Sequence, residues 1–177
     1  MNTAVETFTH NGTAVEILHD FDGSTSNPRD NDNMGTFFTA HRRYSSPDKV
    51  TRADVDAAVA PSKRAVVLPV WGCEHGAIAY AAAETNPFHR PWDSGQAGVI
   101  YCDLETIRKE YGVKRVTKAL RAKVEACLKA EVEEYSKWAN GEVYGFRLLD
   151  DEGEETDSCW GFIGLDYVKE AAKEAAA

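Results

Sequence analysis

One long helical period in the second half of the chain limits the possible folds more than any other feature. Leu120, Val124, Cys127, Leu128, Val132, Tyr135 and Trp138 recur three or four residues apart across 117–140. A helix of this kind buries one stripe and leaves the opposite face in water. Thr117 suits its start, and Gly141 marks its end. A single apolar stripe needs an apolar surface to pack on, and the flanking sequence supplies strands.

Strands are expected over 14–21, with Val15, Ile17 and His19 on one face, and over 35–41 through Phe37 and Phe38. Two more are expected over 64–71 and 98–102. Pro69 has no N–H to give a ladder, so the 64–71 strand reads as an edge or a bulge. Residues 76–82 alternate like a strand but carry alanines that permit a helix. Residues 142–149 and 155–162 flank Asp150-Asp151-Glu152-Gly153, a hairpin signal. Thr51 caps a short helix through 59, with Pro61 beyond its end. Asp103 caps another through 111, stopped by Gly112, and 165–175 closes the chain as an amphipathic helix. The expectation is an α+β fold: a mixed, mainly antiparallel sheet with one long helix packed on one face and short flanking helices. Neither a repeat nor a linker divides the sequence. It therefore reads as a single domain, 1–177, with a core over 13–164 and a closing helix over 165–177.

Hydrophobic residues make up 43% of the chain, enough for a real core, and the formal net charge is −9. That balance argues against a protein whose whole surface binds nucleic acid. No apolar run approaches the ~20 residues of a membrane span, and no signal peptide is visible at the N-terminus. Cys73, Cys102, Cys127 and Cys159 are scattered without a Cys-x-x-Cys pair, as expected of reduced, mostly core-packed thiols.

Charge is segregated along the chain. Seven bases (Arg108, Lys109, Lys114, Arg115, Lys118, Arg121, Lys123) stand against the one acid Glu110 over 108–123. Eleven acids stand against Lys129, Lys137 and Arg147 over 125–157. The long helix thus begins basic and ends acidic, against its own dipole, at a cost of about 1 kcal/mol. The basic segment is a candidate phosphate-binding surface; a solvated helix face is the plain alternative. The acidic residues Asp150, Asp151, Glu152, Glu154, Glu155 and Asp157, at strand spacing, could imitate a row of phosphates, or simply keep a hairpin tip soluble. A helix-turn-helix echo over 107–120 fails: Arg108 takes a place usually held by a small residue, and the following helix is too long.

Other motifs are weaker. Asp20, Asp22, Ser24, Asn27, Asp30 and Asp32 alternate oxygen ligands, but Thr25 and Asn31 occupy places where an EF-hand needs Gly and Glu. His19, His41 and His89 have no ligand spacing, so no metal is expected. Cys73 and His75 share a strand face and could form a nucleophile–base pair, without any recognised signature around them. No phosphate-cradling glycine loop occurs. Trp71, Cys73, His75, Trp92, Asp93, Ser94, Gln96 and Tyr101 are candidates for a pocket lined by aromatics at loop mouths; Trp160 and Tyr144 belong to the same aromatic set. Core packing is the alternative for these aromatics.

A set of phrases carries a family resemblance: Asn27-Pro28-Arg29-Asp30-Asn31-Asp32-Asn33-Met34-Gly35, His41-Arg42-Arg43-Tyr44, Pro91-Trp92-Asp93-Ser94-Gly95-Gln96, Arg108-Lys109-Glu110-Tyr111-Gly112 and Ser158-Cys159-Trp160-Gly161-Phe162. Glu142-Val143-Tyr144-Gly145-Phe146 is related to the last. In this order they resemble a family of small proteins encoded by bacteriophages and integrated elements, mostly without assigned function, with relatives classed as anti-CRISPR proteins. The resemblance covers roughly residues 15–163; the alanine-rich 77–83 region and the C-terminal tail depart from it. It implies a non-enzymatic counter-defence protein in the bacterial host cytoplasm, without cofactor or membrane. Its partner would be a host defence protein or nucleoprotein complex, with contact to nucleic acid. Two other classes stand beside it: a sponge that sequesters a nucleotide signal, and a hydrolase using Cys73 and His75.

Overall fold

The computed structural model describes residues 3–21, 25–60 and 65–177. Asp22 and Ser24 of the acidic loop, Pro61, and Arg64 of the expected third strand lie outside the described residues. The fold is α+β, with two antiparallel four-stranded sheets and one 22-residue helix. The chain gathers into two compact units, Met1–Asn27 with Lys137–Ala177, and Pro28–Ser136. The second is thus inserted into the first.

The first unit holds strands β1 (Glu6–His10), β2 (Thr13–His19), β7 (Val143–Leu149) and β8 (Glu155–Ile163), in the order β1-β2-β7-β8. Strand β1 was not expected from the sequence. It joins β2 through Asn11-Gly12, both at positive φ (48° and 90°), the backbone that two-residue hairpin turns demand. Alternate residues Val15, Ile17, Tyr144, Phe146 and Leu148 are buried on one sheet face, under Val168 and Ala172 of helix α4 (Leu165–Ala175). Each fully buried aliphatic here contributes about 1.5–3 kcal/mol.

The second unit holds β3 (Thr36–Thr39), β4 (Val66–His75), β5 (Ala77–Ala82) and β6 (Ser94–Cys102), in the order β3-β6-β4-β5. Helix α1 (Arg52–Ala58) covers one face, where Val55 packs with Phe38 and Tyr101. On the other face, Ile107 of α2 (Leu104–Glu110) and Val124, Leu128 and Val132 of α3 (Lys118–Ala139) pack with Val66, Leu68, Val70, Ile78, Tyr80 and Ile100. Ile78 and Tyr80 alternate into this core, which settles 77–82 as strand. The edge reading of the Pro69 strand is corrected: β4 lies between β6 and β5. The bulge reading survives, because its pairing with β6 slips between Val70 and Trp71, next to the proline. Gly98 is fixed by close approach: a Cβ there would run into the Phe38 carbonyl of the neighbouring strand.

Candidate functional site

The basic segment folds as α2, a short connection and the first turns of α3. Asp103 starts α2 by accepting hydrogen bonds from the backbone N–H groups of Glu105 (2.8 Å) and Thr106 (2.9 Å) and from the Thr106 hydroxyl (2.8 Å). Partial burial alone would raise its pKa, but these bonds outweigh it and hold the carboxyl below the usual range. Gly112 (φ 62°) ends the helix, and Val113 N–H closes back on the Arg108 carbonyl at 3.0 Å. Thr117 Oγ1 then accepts from Leu120 N–H at 3.2 Å to open α3. Because Leu120, Val124 and Leu128 fix the inward stripe, the bases are turned out. Arg108, Lys109, Lys114, Arg115, Lys118 and Lys123 are exposed; among the described residues none joins an ion pair. Arg121 is half-buried and donates to the Ala65 carbonyl at 3.4 Å.

The acidic patch belongs to the other unit, at the β7–β8 turn. Part of it is used internally. Asp150 Oδ1 accepts from Glu152 and Glu154 N–H, both at 2.9 Å, and so shapes the turn. Glu155 lies 3.1 Å from Arg147 Nε and accepts from the Ser158 hydroxyl at 2.7 Å. Asp157 accepts from Ser158 N–H at 2.8 Å. Asp151, Glu152 and Glu154 project into solvent. On the same hairpin Trp160 lies on Gly145, with the Arg147 guanidinium 5.7 Å from its ring centre. Tyr144 is buried against α4.

Of the residues expected to line an aromatic pocket, Trp71, Cys73, His75, Asp93, Ser94 and Gln96 lie together at one end of the β4–β6 pair, where Trp71 is opposite Gln96 and Cys73 opposite Ser94, while Tyr101 lies at the other end of β6. Tyr101 is buried with Phe38 and Val55. Trp71 donates its indole N–H to the Ala83 carbonyl at 2.9 Å. Trp92 is 97% exposed at the tip of its loop. Ser94 donates to the Arg90 carbonyl (2.7 Å) and accepts from Asn86 (2.9 Å), which pins that loop. Cys73 is 7% exposed, while the His75 side chain is 69% exposed and sits 3.6 Å from Asp93. A buried thiol beside an outward imidazole is poor geometry for a nucleophile and its base. Strand β6 also separates the Trp92 loop from α2: Ser94 to Cys102 spans roughly 25 Å at strand rise. The basic surface and this tryptophan therefore stand at opposite ends of the strand.

Two cavities among the described residues lie in this unit. One, of about 340 Å³, lies on the α1 face between Phe38, Val55, Val59 and Val99, with Arg52, Asp56 and Gln96 also lining it. The other, of about 200 Å³, is lined by His41, Glu74, Asp93 and Gln96 over Gly72 and Ile78. Of the expected pocket residues, Gln96 lines both and Asp93 the smaller.

Arg29, which the sequence presents only as part of a phrase, is the centre of a buried polar cluster. Its side chain is 3% exposed, and all five of its donors are used. Two reach Asp48 (2.9 and 2.8 Å), and the others reach Asn33 (2.8 Å), Glu131 (2.9 Å) and the Gly35 carbonyl (2.6 Å). Burial alone would lower its pKa, but the bonds to Asp48 and Glu131 raise it above the ordinary value. Glu131 also accepts from Met34 N–H at 2.8 Å, and Asp48 from Phe37 N–H at 2.7 Å. One acid of the helix's acidic half is thereby structural. Among the described residues no three His, Cys, Asp or Glu side chains are arranged to hold a metal ion, and no helix is long and apolar enough to cross a membrane. No family model, curated protein or solved structure matches the chain.

Proposed function

We propose that this chain acts by binding rather than catalysis, as a phage-type counter-defence protein that blocks a host nucleic-acid-targeting system. Its basic surface on α2 and the start of α3 is the contact face. The observation that carries this reading is the outward set Arg108, Lys109, Lys114, Arg115, Lys118 and Lys123, six cations without a carboxylate partner among the described residues. In a chain of net charge −9, such a patch focuses attraction on one site and orients a polyanion or a phosphate-bearing complex. The buried Cys73 favours binding over thiol chemistry. The exposed carboxylates of the β7–β8 turn suit a basic groove in the same target.

The test is binding of the full chain to a purified RNA-guided nuclease loaded with its guide, at rising salt. Six phosphate contacts predict a loss of about 10³-fold in affinity between roughly 50 and 200 mM salt. Lys114→Glu with Arg115→Glu should abolish both binding and nuclease inhibition. Salt-independent affinity, or full inhibition by the charge-reversed variant, overturns the reading.

A further inference from the structure

The sheet of the second unit contains an abrupt step. Strand β6 pairs with β4 along its whole length, Ser94 to Cys102, but β3 accompanies it only from Gly98 to Tyr101. The last bond between the two runs is Ala40 N–H to the Ala97 carbonyl, 2.9 Å. Beyond Ala40 the chain turns towards Glu74 on β4: His41 Nε2 is 3.6 Å from that carboxylate, and Arg43 pairs with it. Among the described residues the backbone of 94–96 therefore pairs with β4 alone, while the Ser94 hydroxyl is held by Arg90 and Asn86. Gly95 and Gln96 are exposed, and a Cβ at Gly95 would meet nothing within 4 Å.

Both cavities open at this step. Each is lined by Ala40, Gln96 and Ala97, but they lie on opposite faces of the sheet. The larger reaches Phe38, Val55 and Val99 on the α1 side, and the smaller reaches Gly72 and Ile78 on the α3 side. A free strand edge with a side-chain cavity on each face fits an added strand, whose successive side chains point to opposite faces.

We propose that the β6 edge at residues 94–96 is a docking slot for an extended peptide of a partner protein, with an apolar residue entering the α1-side cavity and an adjacent Lys or Arg meeting Glu74 and Asp93 on the other side. Backbone groups that point away from β4 supply the affinity, as in other strand additions. Charge complementarity sets the second residue: the smaller cavity holds two carboxylates, Glu74 paired with the exposed Arg43 and 3.6 Å from His41, and Asp93 3.6 Å from His75, and the incoming cation takes the place of Arg43. The slot goes beyond the basic surface of α2 and α3 and shares no residue with it.

The full chain, isotope-labelled, is titrated with two pools of acetylated, amidated heptapeptides with random flanks, one with a Val-Lys centre and one with Val-Glu. The Val-Lys pool should bind and slow amide exchange at 94–96 by at least about tenfold. Glu74→Gln with Asp93→Asn should weaken that pool by about fivefold or more and remove the preference over Val-Glu. Val55→Trp, which fills the larger cavity, should abolish binding of both pools; if it disturbs folding, the carboxylate pair decides. Equal binding of the two pools, or unchanged exchange at 94–96, overturns the proposal. So does protection that grows with protein concentration in the absence of peptide, which assigns the edge to a second copy.

Discussion

Arg29 and Glu131 meet at 2.9 Å across 102 residues of sequence. The bond joins the loop before β3 to the middle of α3, and Asp48 completes it from a third segment. A buried charge is tolerated only when it is paired and its donors are filled, and here all five are. Removing the guanidinium leaves two carboxylates facing each other with no counter-charge. Arg29→Ala should cost about 3–5 kcal/mol in denaturant unfolding. Arg29→Lys should fall between, because an ammonium has three donors for five acceptors. Unaltered stability in both variants contradicts the assignment.

Gly145 and Trp160 face each other across β7 and β8. A Cβ on Gly145 would overlap the indole ring and come within 2.9 Å of the Cys159 carbonyl. Gly145→Ala should therefore destabilise the first unit by about 1–3 kcal/mol, as overpacking does. Adding Trp160→Ala should recover part of that loss, giving a non-additive double-mutant cycle. Purely additive effects would mean that the ring is not the obstacle.

The α2 cap should respond to acid. Asp103 has a depressed pKa in the folded chain, so the stability it contributes is present above the ordinary carboxylate value, near 3.9. That contribution disappears as pH falls through the lowered folded value. Asp103→Ala should cost about 1 kcal/mol near neutral pH. Asp103→Asn keeps an acceptor but loses the titration, so its stability should follow pH less steeply than that of the parent. Thermal melts across the acid range measure both.

The four thiols should separate by reactivity. Cys159 is exposed, whereas burial pushes the Cys102 thiol up to about 12, with Asp103 and Glu131 adding to the rise. Iodoacetamide at mildly alkaline pH should modify Cys159 first and leave Cys73 and Cys102 untouched until the chain unfolds. Mass spectrometry of the alkylated peptides checks the order; early labelling of Cys102 contradicts its burial.

Much of this was legible locally. The caps at Thr51 and Asp103, the stops at Gly112 and Gly141, and the stripe from Leu120 to Val132 all lie where short-range rules place them. The outward aim of Lys118 and Lys123 followed from that stripe. Asn11-Gly12 is a local hairpin signal that points to β1, which the apolar periods alone do not reveal. Pro69 misled for a physical reason. Pro69 fits an interior strand because the ladder with β5 starts only at Val70, an outcome that no residue near 69 encodes. The burial of Tyr101 has a similar reason: residue type does not fix its place, which depends on which neighbours cover each sheet face.

By itself the sequence determined the kind and extent of most elements, because helix caps, glycine stops and apolar periods act over a few residues. It also determined that the α2–α3 segment carries a surplus of positive charge. Tertiary structure alone decided how the eight strands of the described residues divide into two sheets, why β2 joins β7, how Arg29 is neutralised, and where β3 leaves β6 beside the two cavities. Those outcomes depend on strand register and on partners dozens of residues apart. Register is selected by the packing of whole faces, and no local period encodes it.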